Sequence, residues 1–314
     1  MIATLSLNPA VDKIVSVQGL RWGDHLRVKK IREVAAGKGI NVARVIKKLG
    51  REVVVLGLAG GPHGEWIKDE LKKEKLKFDF VAIRGNIRQS LTIMDESGGR
   101  EIHLREEGPA ISSRELKLFR KKLRAWSPYL KFLVISGRLP AGIPLDFYGE
   151  IISFFKKIEV PVLLDANGPA YRRALKAGPD YLKPNHLELE ELAGRKLRGR
   201  REEMAFIRGL LRQGLKMAVV THGPGEVLAM FGDFAYLLKP PRLKARNTVG
   251  CGDAVTGALA YGLATEIKID QTLKTAVACG SANALSLGAG FFNINKMHTL
   301  LRKINVKVLP DHGY

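Results

Sequence analysis

The sequence predicts an α/β fold: a three-layer α/β/α domain with one large, mostly parallel sheet, plus a small separate β-sheet. Three observations lead there. Strand-like and helix-like segments alternate along the whole 314 residues, the pattern of a parallel sheet wound with helices. Hydrophobic residues make up 46% and charged residues 26%, which suits a large core and not a disordered chain. Two regions break the alternation, and their short strands cannot extend a parallel core without irregular crossovers.

Taken in order, residues 2–7 form a β-prone run and residues 40–49 carry apolar positions at helical spacing. Residues 52–58 read as a buried strand and 63–74 as a helix; 114–124 is helical too. Strand 132–135 leads to helix 145–157, strand 160–164 to helix 170–177, and 217–221 is a further strand. Segments 254–264 and 272–287 read as helices with small-residue faces. The breaks are at 14–17 with 26–31, and at 90–94 with 101–104. The second pair alternates Leu91 and Ile93, then Ile102 and Leu104, around the turn cluster Asp95-Glu-Ser-Gly-Gly99, as a hairpin does. No repeat and no linker divides the chain, so a single domain over 1–314 is expected. Its small sheet would come from about 12–34 and 87–106.

Cys251 and Cys279 are the two cysteines, which excludes a disulfide scaffold or a zinc knuckle. No histidine pair has the spacing of a helical zinc site. The N-terminus lacks a basic stretch before an apolar run, and no uncharged apolar run reaches membrane-spanning length. A soluble, cytoplasmic protein is the expectation. Lys and Arg total 52 against 31 for Asp and Glu, a net charge of +21. Such a charge suits polyanionic partners in general. The basic residues are spread along the chain with no basic tail, so neither nucleic acid nor a membrane surface is the expected partner.

The usual nucleotide fingerprints are missing: there is no GxxxxGK[ST] and no GxGxxG after a strand. The strongest local signal is Asn247-Thr-Val-Gly-Cys-Gly-Asp253. Gly250, Cys251 and Gly252 can present successive N–H groups at a helix N-terminus, an anion-binding cup backed by the helix dipole. Asp253 there is either an N-cap or a carboxylate placed to take a proton beside a bound anion. In Ala35-Ala-Gly-Lys-Gly-Ile-Asn41, Gly37 and Gly39 allow close backbone approach while Lys38 and Asn41 offer donors. In Lys183-Pro-Asn-His-Leu-Glu188, Asn185 and Glu188 either share a helix face and orient Mg²⁺ through water, or form a capping box.

Together these segments resemble the PfkB (ribokinase-like) carbohydrate kinases, in the 1-phosphofructokinase and tagatose-6-phosphate kinase branch. Leu7-Asn-Pro-Ala-Val-Asp12 resembles the start of that branch, and Ala36-Gly-Lys-Gly-Ile-Asn-Val-Ala43 its first signature. Val249-Gly-Cys-Gly-Asp-Ala254 resembles the second signature, Lys183-Pro-Asn-x-x-Glu188 the metal-phosphate motif, and Thr221-His-Gly-Pro-Gly225 the nucleotide-side loop. The resemblance runs over residues 1 to 290. Three positions depart from it: Ala36 replaces a glycine, Arg138 stands where many members have serine, and Cys251 replaces alanine.

The resemblance implies a ribokinase-like fold in which the four extra strands form a lid over the sugar. Lids of this branch often pair between subunits, implying a homodimer. It implies transfer of the γ-phosphoryl of ATP, with Mg²⁺, to a phosphorylated ketohexose. Fructose 1-phosphate is the first expectation, followed by tagatose 6-phosphate or fructose 6-phosphate. A ribokinase or nucleoside kinase with a neutral acceptor is the nearest alternative, and a nucleic-acid-binding protein the non-enzymatic one. The implied general base is Asp253, with Gly250, Cys251 and Gly252 around the transferred phosphoryl. Asp12, Gly37 and Asn41 would hold the sugar, and Lys38, Arg88 and Arg138 the phosphate already on it. Lys183, Asn185, Thr221, Gly223, Gly225 and Asn283 would serve the nucleotide, and Asn185 with Glu188 the Mg²⁺.

Overall fold

A computed structural model describes residues 1–310 apart from 22, 24, 29, 98 and 99. β1 (Ile2–Ser6), β2 (Ala10–Val17) and β3 (Lys30–Ala36) lead into α1 (Lys38–Lys48). Then come β4 (Val53–Ala59), α2 (Gly61–Lys73), β5 (Lys77–Ala82), β6 (Arg88–Asp95) and β7 (Arg100–Arg105). The middle of the chain holds α3 (Ser113–Trp126), β8 (Phe132–Gly137), α4 (Phe147–Lys157), β9 (Val162–Ala166), α5 (Pro169–Leu175) and β10 (Tyr181–Leu182). It continues with α6 (His186–Ala193), α7 (Arg200–Arg212) and β11 (Met217–Val220). The last part holds β12 (Val227–Phe231), β13 (Phe234–Leu238), α8 (Cys251–Ala264), α9 (Ile269–Ala284), α10 (Ile294–Leu301) and β14 (Val306–Pro310).

Ten strands make one sheet in the order β14-β13-β12-β11-β10-β9-β8-β1-β4-β5. From β5 to β11 every neighbouring pair is parallel, and β12, β13 and β14 add antiparallel strands at one edge. β1, β4 and β9 are buried along their whole length, as strands covered by helices on both faces must be. α1 packs on β1 and β4 and against α8, which packs in turn on α9. The small residues of α8 permit this: a Cβ on Gly257 would lie 2.7 Å from Val45 Cβ. Among the described residues no helix is long and apolar enough to cross a membrane.

The second sheet has the order β3-β2-β6-β7. Its strands are the ones the sequence left outside the parallel core, with corrected bounds. The expected strand at 26–31 starts later, at Lys30, and runs to Ala36. The reason is that α1 begins at Lys38, so the chain stays extended up to its Gly37 cap. Lys29 and the Gly98-Gly99 part of the expected hairpin turn lie outside the described residues. Pairing Ile31 to Val15, Val15 to Ile93 and Ile93 to Ile102 draws an apolar row across one face of this sheet. Leu26 and Val28, expected on that face, precede β3; Ile31 occupies it instead. The other face carries Asp12, Ser90 and Arg105 in register.

Candidate active site

Because β1, β8, β9, β10 and β11 are parallel, their C-terminal ends lie along one edge, where open α/β sheets bind ligands. α1 and α8 also begin there. Gly250 caps α8 with φ of 77° in the left-handed region, and a Cβ on it would sit 2.1 Å from Ala289 Cβ. Only glycine fits both demands. Ala254 N donates to Gly250 O at 2.9 Å and Cys251 N reaches Thr248 O at 3.4 Å. Among the described residues the N–H groups of Gly252 and Asp253 have no backbone acceptor, which leaves them available at the positive end of the helix. Burial pushes the Cys251 thiol up, so it stays neutral and leaves the backbone to do the binding.

Asp253 is 7% exposed and its Oδ2 accepts from Asn41 Nδ2 at 2.8 Å. Burial raises it above the ordinary aspartate value, against the pull of Lys38 and the Asn41 hydrogen bond. Asn41 is itself held: its Oδ1 accepts from Arg44 Nη1 at 3.2 Å, and Arg44 grips Glu74 through Nε and Nη2 at 2.6 and 2.7 Å.

Beside Asp253 lies a group that the motifs did not reveal. Asp165, at the end of β9, is fully buried; its Oδ1 is 3.1 Å from Lys38 Nζ and 3.3 Å from Lys183 Nζ. Its Oδ2 accepts from Thr256 Oγ1 at 2.8 Å. Burial pulls Lys38 down, but Asp165, Asp253 and Glu188 outweigh it and hold the ammonium above the ordinary lysine value. Lys183 lies over the cup, since a Cβ on Gly252 would be 3.5 Å from its Nζ. Lys38 was expected beside Arg88 on the sugar phosphate. The structure ties it to Asp165 and Asp253 instead, because a lysine at the first position of α1 reaches across the sheet edge to β9.

Arg88 stands elsewhere, at the root of the small sheet. Its Nε donates to Asn8 Oδ1 at 3.1 Å, and weaker contacts at 3.4 Å reach Ser90 Oγ and Glu106 O. Burial raises Asp12, offset by a hydrogen bond from Ser90 and the charges of Arg88, Arg105 and Arg44. Arg105 is thus a second arginine on this face, also missed from sequence. Arg138 is exposed after β8, its Nε 3.6 Å from where a Gly168 Cβ would be. Gly37, with φ of 131°, caps α1.

Asn185 and Glu188 close the capping box allowed by sequence: Asn185 N donates to Glu188 Oε2 at 2.8 Å, and Glu188 N to Asn185 Oδ1 at 2.9 Å. Glu188 Oε1 is left over. Thr221 N donates to Pro184 O and Gly225 N to His222 O, so the Thr221–Gly223–Gly225 turn abuts the Lys183–Asn185 segment. Asn283 departs from expectation. It is fully buried, with Nδ2 donating to Val249 O at 3.0 Å and Oδ1 accepting from Gly290 N at 2.8 Å. With its amide spent on two loops, it braces the cup from beneath and does not line a nucleotide surface.

A buried carboxylate at the mouth of a helix-terminal anion cup, two lysines on a second carboxylate, and a small sheet with paired arginines define a sugar kinase of α/β architecture. Residues 5–296 match the pfkB family carbohydrate kinase model, and the chain belongs to that family. It is a carbohydrate kinase, similar to tagatose-6-phosphate kinase and phosphofructokinase proteins. It is 29% identical to tagatose-6-phosphate kinase of Staphylococcus epidermidis, covering 98% of this chain and 99% of that one. Phosphofructokinase-2 from Escherichia coli, solved with potassium, superposes with a TM-score of 0.90 at 28% identity, over 96% of this chain and 98% of that one. That enzyme has also been solved with fructose-6-phosphate and in a tetrameric inhibited form. A possible 1-phosphofructokinase from Thermotoga maritima shares the fold, with a TM-score of 0.88 at 20% identity, covering 98% of this chain and 99% of that one.

Proposed function

We infer that this kinase transfers the γ-phosphoryl group of ATP to the free primary hydroxyl of a ketohexose monophosphate. The observation that carries this reading is Asp253, buried and hydrogen-bonded to Asn41, beside N–H groups with no backbone acceptor among the described residues. The hydroxyl oxygen attacks the γ-phosphorus and its proton passes to Asp253. The new O–P bond forms as the bond to the β-γ bridging oxygen breaks, and ADP leaves with that electron pair. The N–H groups of Gly252 and Asp253, with Lys183 and Lys38, meet charge on the moving phosphoryl. Asp12 and Asn41 face the sugar. Glu188 Oε1 is a hard donor of the kind Mg²⁺ takes, and Asn185 Oδ1, which accepts from Glu188 N, keeps a second lone pair; the ion bound with ATP would neutralise and orient its phosphates.

The charges of Arg88 and Arg105 both act on Asp12, Glu106 also acts on Arg88, and the two guanidiniums offer donors to a further anion. A phosphate on the sugar would be that anion. Fructose 1-phosphate, fructose 6-phosphate and tagatose 6-phosphate each put a phosphate at one end and a primary hydroxyl at the other. The named relatives give the 6-phosphates equal standing with fructose 1-phosphate. A kinase assay over these three, fructose, ribose and a nucleoside tests the reading. Higher kcat/KM on an unphosphorylated acceptor overturns it. The apolar row Val15, Ile31, Ile93 and Ile102 further supports a homodimer through the lid, since Ile31 is 59% and Ile102 37% exposed.

A further inference from the structure

His186, Glu203 and His222 meet although they come from three separate elements: the start of α6, the body of α7 and the loop after β11. His186 Nδ1 is 2.7 Å from Glu203 Oε1, and His222 Nε2 is 2.9 and 3.1 Å from the two Glu203 oxygens. The Glu203 side chain is only 3% exposed. His222 Nδ1 faces the Glu226 carbonyl at 2.8 Å. A carbonyl only accepts, so Nδ1 carries a proton, and Nε2 meets the carboxylate either through a second proton or, with its lone pair, through a bound cation. His186 turns Nδ1 inward to Glu203 and has Glu190 Oε1 3.7 Å from its Nε2. Two ring nitrogens thus converge on a buried carboxylate, a cluster that either shared protons or a bound metal cation can hold together.

We propose that His186, Glu203 and His222 form a binding site for a divalent first-row transition ion, with Zn²⁺ the best fit. The three candidate ligand atoms lie within 4.8 Å of one another. Two imidazoles and a carboxylate with a fourth position open to water are a recurrent zinc set, whereas Mg²⁺ takes oxygen donors. Metal–ligand bonds of about 2.0–2.2 Å in a tetrahedron ask the ligand atoms to separate to about 3.3 Å, a small opening for one glutamate rotation. The outward Nδ1 of His222 already has the carbonyl partner that orients a metal-bound histidine, and the Glu190 carboxylate stands near the outward Nε2 of His186. His186 N donates to Thr221 O at 3.0 Å, so a bound ion braces α6 and α7 against the turn that holds Gly223 and Gly225. None of these three residues belongs to the phosphoryl-transfer site, so the proposal stands or falls apart from the kinase reading.

The test is direct metal binding by the whole protein after chelation and dialysis. Stoichiometric Co²⁺ uptake with visible d–d absorption is expected, displaced by Zn²⁺ and not by Mg²⁺. Zn²⁺ is expected to raise the Tm of the stripped protein. His186→Gln and Glu203→Gln are expected to lose both signals. Absence of the absorption and of any Tm shift with micromolar Zn²⁺ would mean that a shared proton holds the cluster, and overturns the proposal. Undiminished uptake in a folded His186→Gln or Glu203→Gln protein would place the ion elsewhere and overturns it as well.

Discussion

Asn41 and Asp253 lie 212 positions apart in the chain and are joined by a 2.8 Å hydrogen bond. The direction of that bond is fixed by chemistry. Arg44 can only donate, so Asn41 turns its Oδ1 to Arg44 and its Nδ2 to Asp253. Glu74 fixes Arg44 in turn through a two-pronged contact. The carboxylate is therefore aimed by a chain that starts on the far side of α1, and the first consequences concern its protonation.

Asp253→Asn keeps size and hydrogen bonding but removes the proton acceptor. We expect kcat to fall by roughly 10²–10⁴-fold, the range for a group that moves a proton in the transition state. KM for ATP should barely change. Steady-state kinetics on a variant with wild-type circular dichroism checks this; near-native turnover would remove Asp253 from the role.

The pH profile gives a second, independent reading. Burial holds Asp253 above the ordinary aspartate value. A protonated carboxyl cannot accept a proton, so kcat should fall as pH drops through that raised value. The Asn41 hydrogen bond favours the charged form. Asn41→Ala should therefore move the acid limb to higher pH, whereas a purely structural asparagine would leave its position unchanged.

The two helix-terminal glycine signatures and the small sheet were legible because each is written in local chemistry: glycines before a helix, or alternation around a turn. Asp165 was legible only as an anomaly, one acid inside the buried run Val162–Ala166. Its meaning depends on Lys38 and Lys183, which arrive from elsewhere in the chain. Arg44 is a similar anomaly among the buried residues of α1. The hairpin β12–β13, turned by Gly232-Asp233, had a readable turn signal that went unused. β10, two residues long, had none. The cluster of His186, Glu203 and His222 has no sequence spacing at all, since tertiary packing alone assembles it.

Asp165 balances two ammonium groups. Asp165→Asn leaves Lys38 and Lys183 facing each other with that charge removed, and breaking such a buried set costs about 3–5 kcal/mol. We expect a Tm lower by about 10 °C in thermal melts without ligand. Nucleotide phosphates would restore part of the lost charge, so ATP should raise Tm more in the variant than in the wild type. An unchanged melting curve would show that Asp165 is not the counter-ion of these lysines.

The apolar face of the lid leads to an association test. Ile102 and Leu104 are 37% and 54% exposed on adjacent rungs of β7. A four-stranded sheet with one open apolar face gains from burying it against a copy of itself. Ile102→Lys with Leu104→Glu should convert a dimer to a monomer in sedimentation velocity at micromolar protein. A wild-type chain that sediments as a monomer, with or without sugar phosphate, would refute the lid interface.

We propose that Arg88 meets the acceptor's phosphate, and its chemistry makes a conservative substitution informative. The guanidinium donates to Asn8 Oδ1 at 3.1 Å and touches Ser90 and Glu106, so β1's exit, β2's partner strand and the end of β7 all set its direction. A planar fork held that way can meet two phosphate oxygens at once, whereas a lysine offers a single ammonium on a flexible stem. Arg88→Lys keeps the charge and loses the fork. KM for the phosphorylated ketohexose should rise by about tenfold, the loss of one good charge-assisted hydrogen bond of about 1.4 kcal/mol. KM for ATP should stay the same, because the residues proposed for the nucleotide, Lys183, Asn185 and Thr221, follow β10 and β11 of the large sheet and not the small sheet that carries Arg88. Arg105→Lys, on the neighbouring rung, should act in the same direction. Equal losses for ATP and sugar would indicate a folding defect. An unchanged KM for the sugar phosphate would leave Arg88 as a brace for the Asn8 loop and move the phosphate to Arg105 or Arg138.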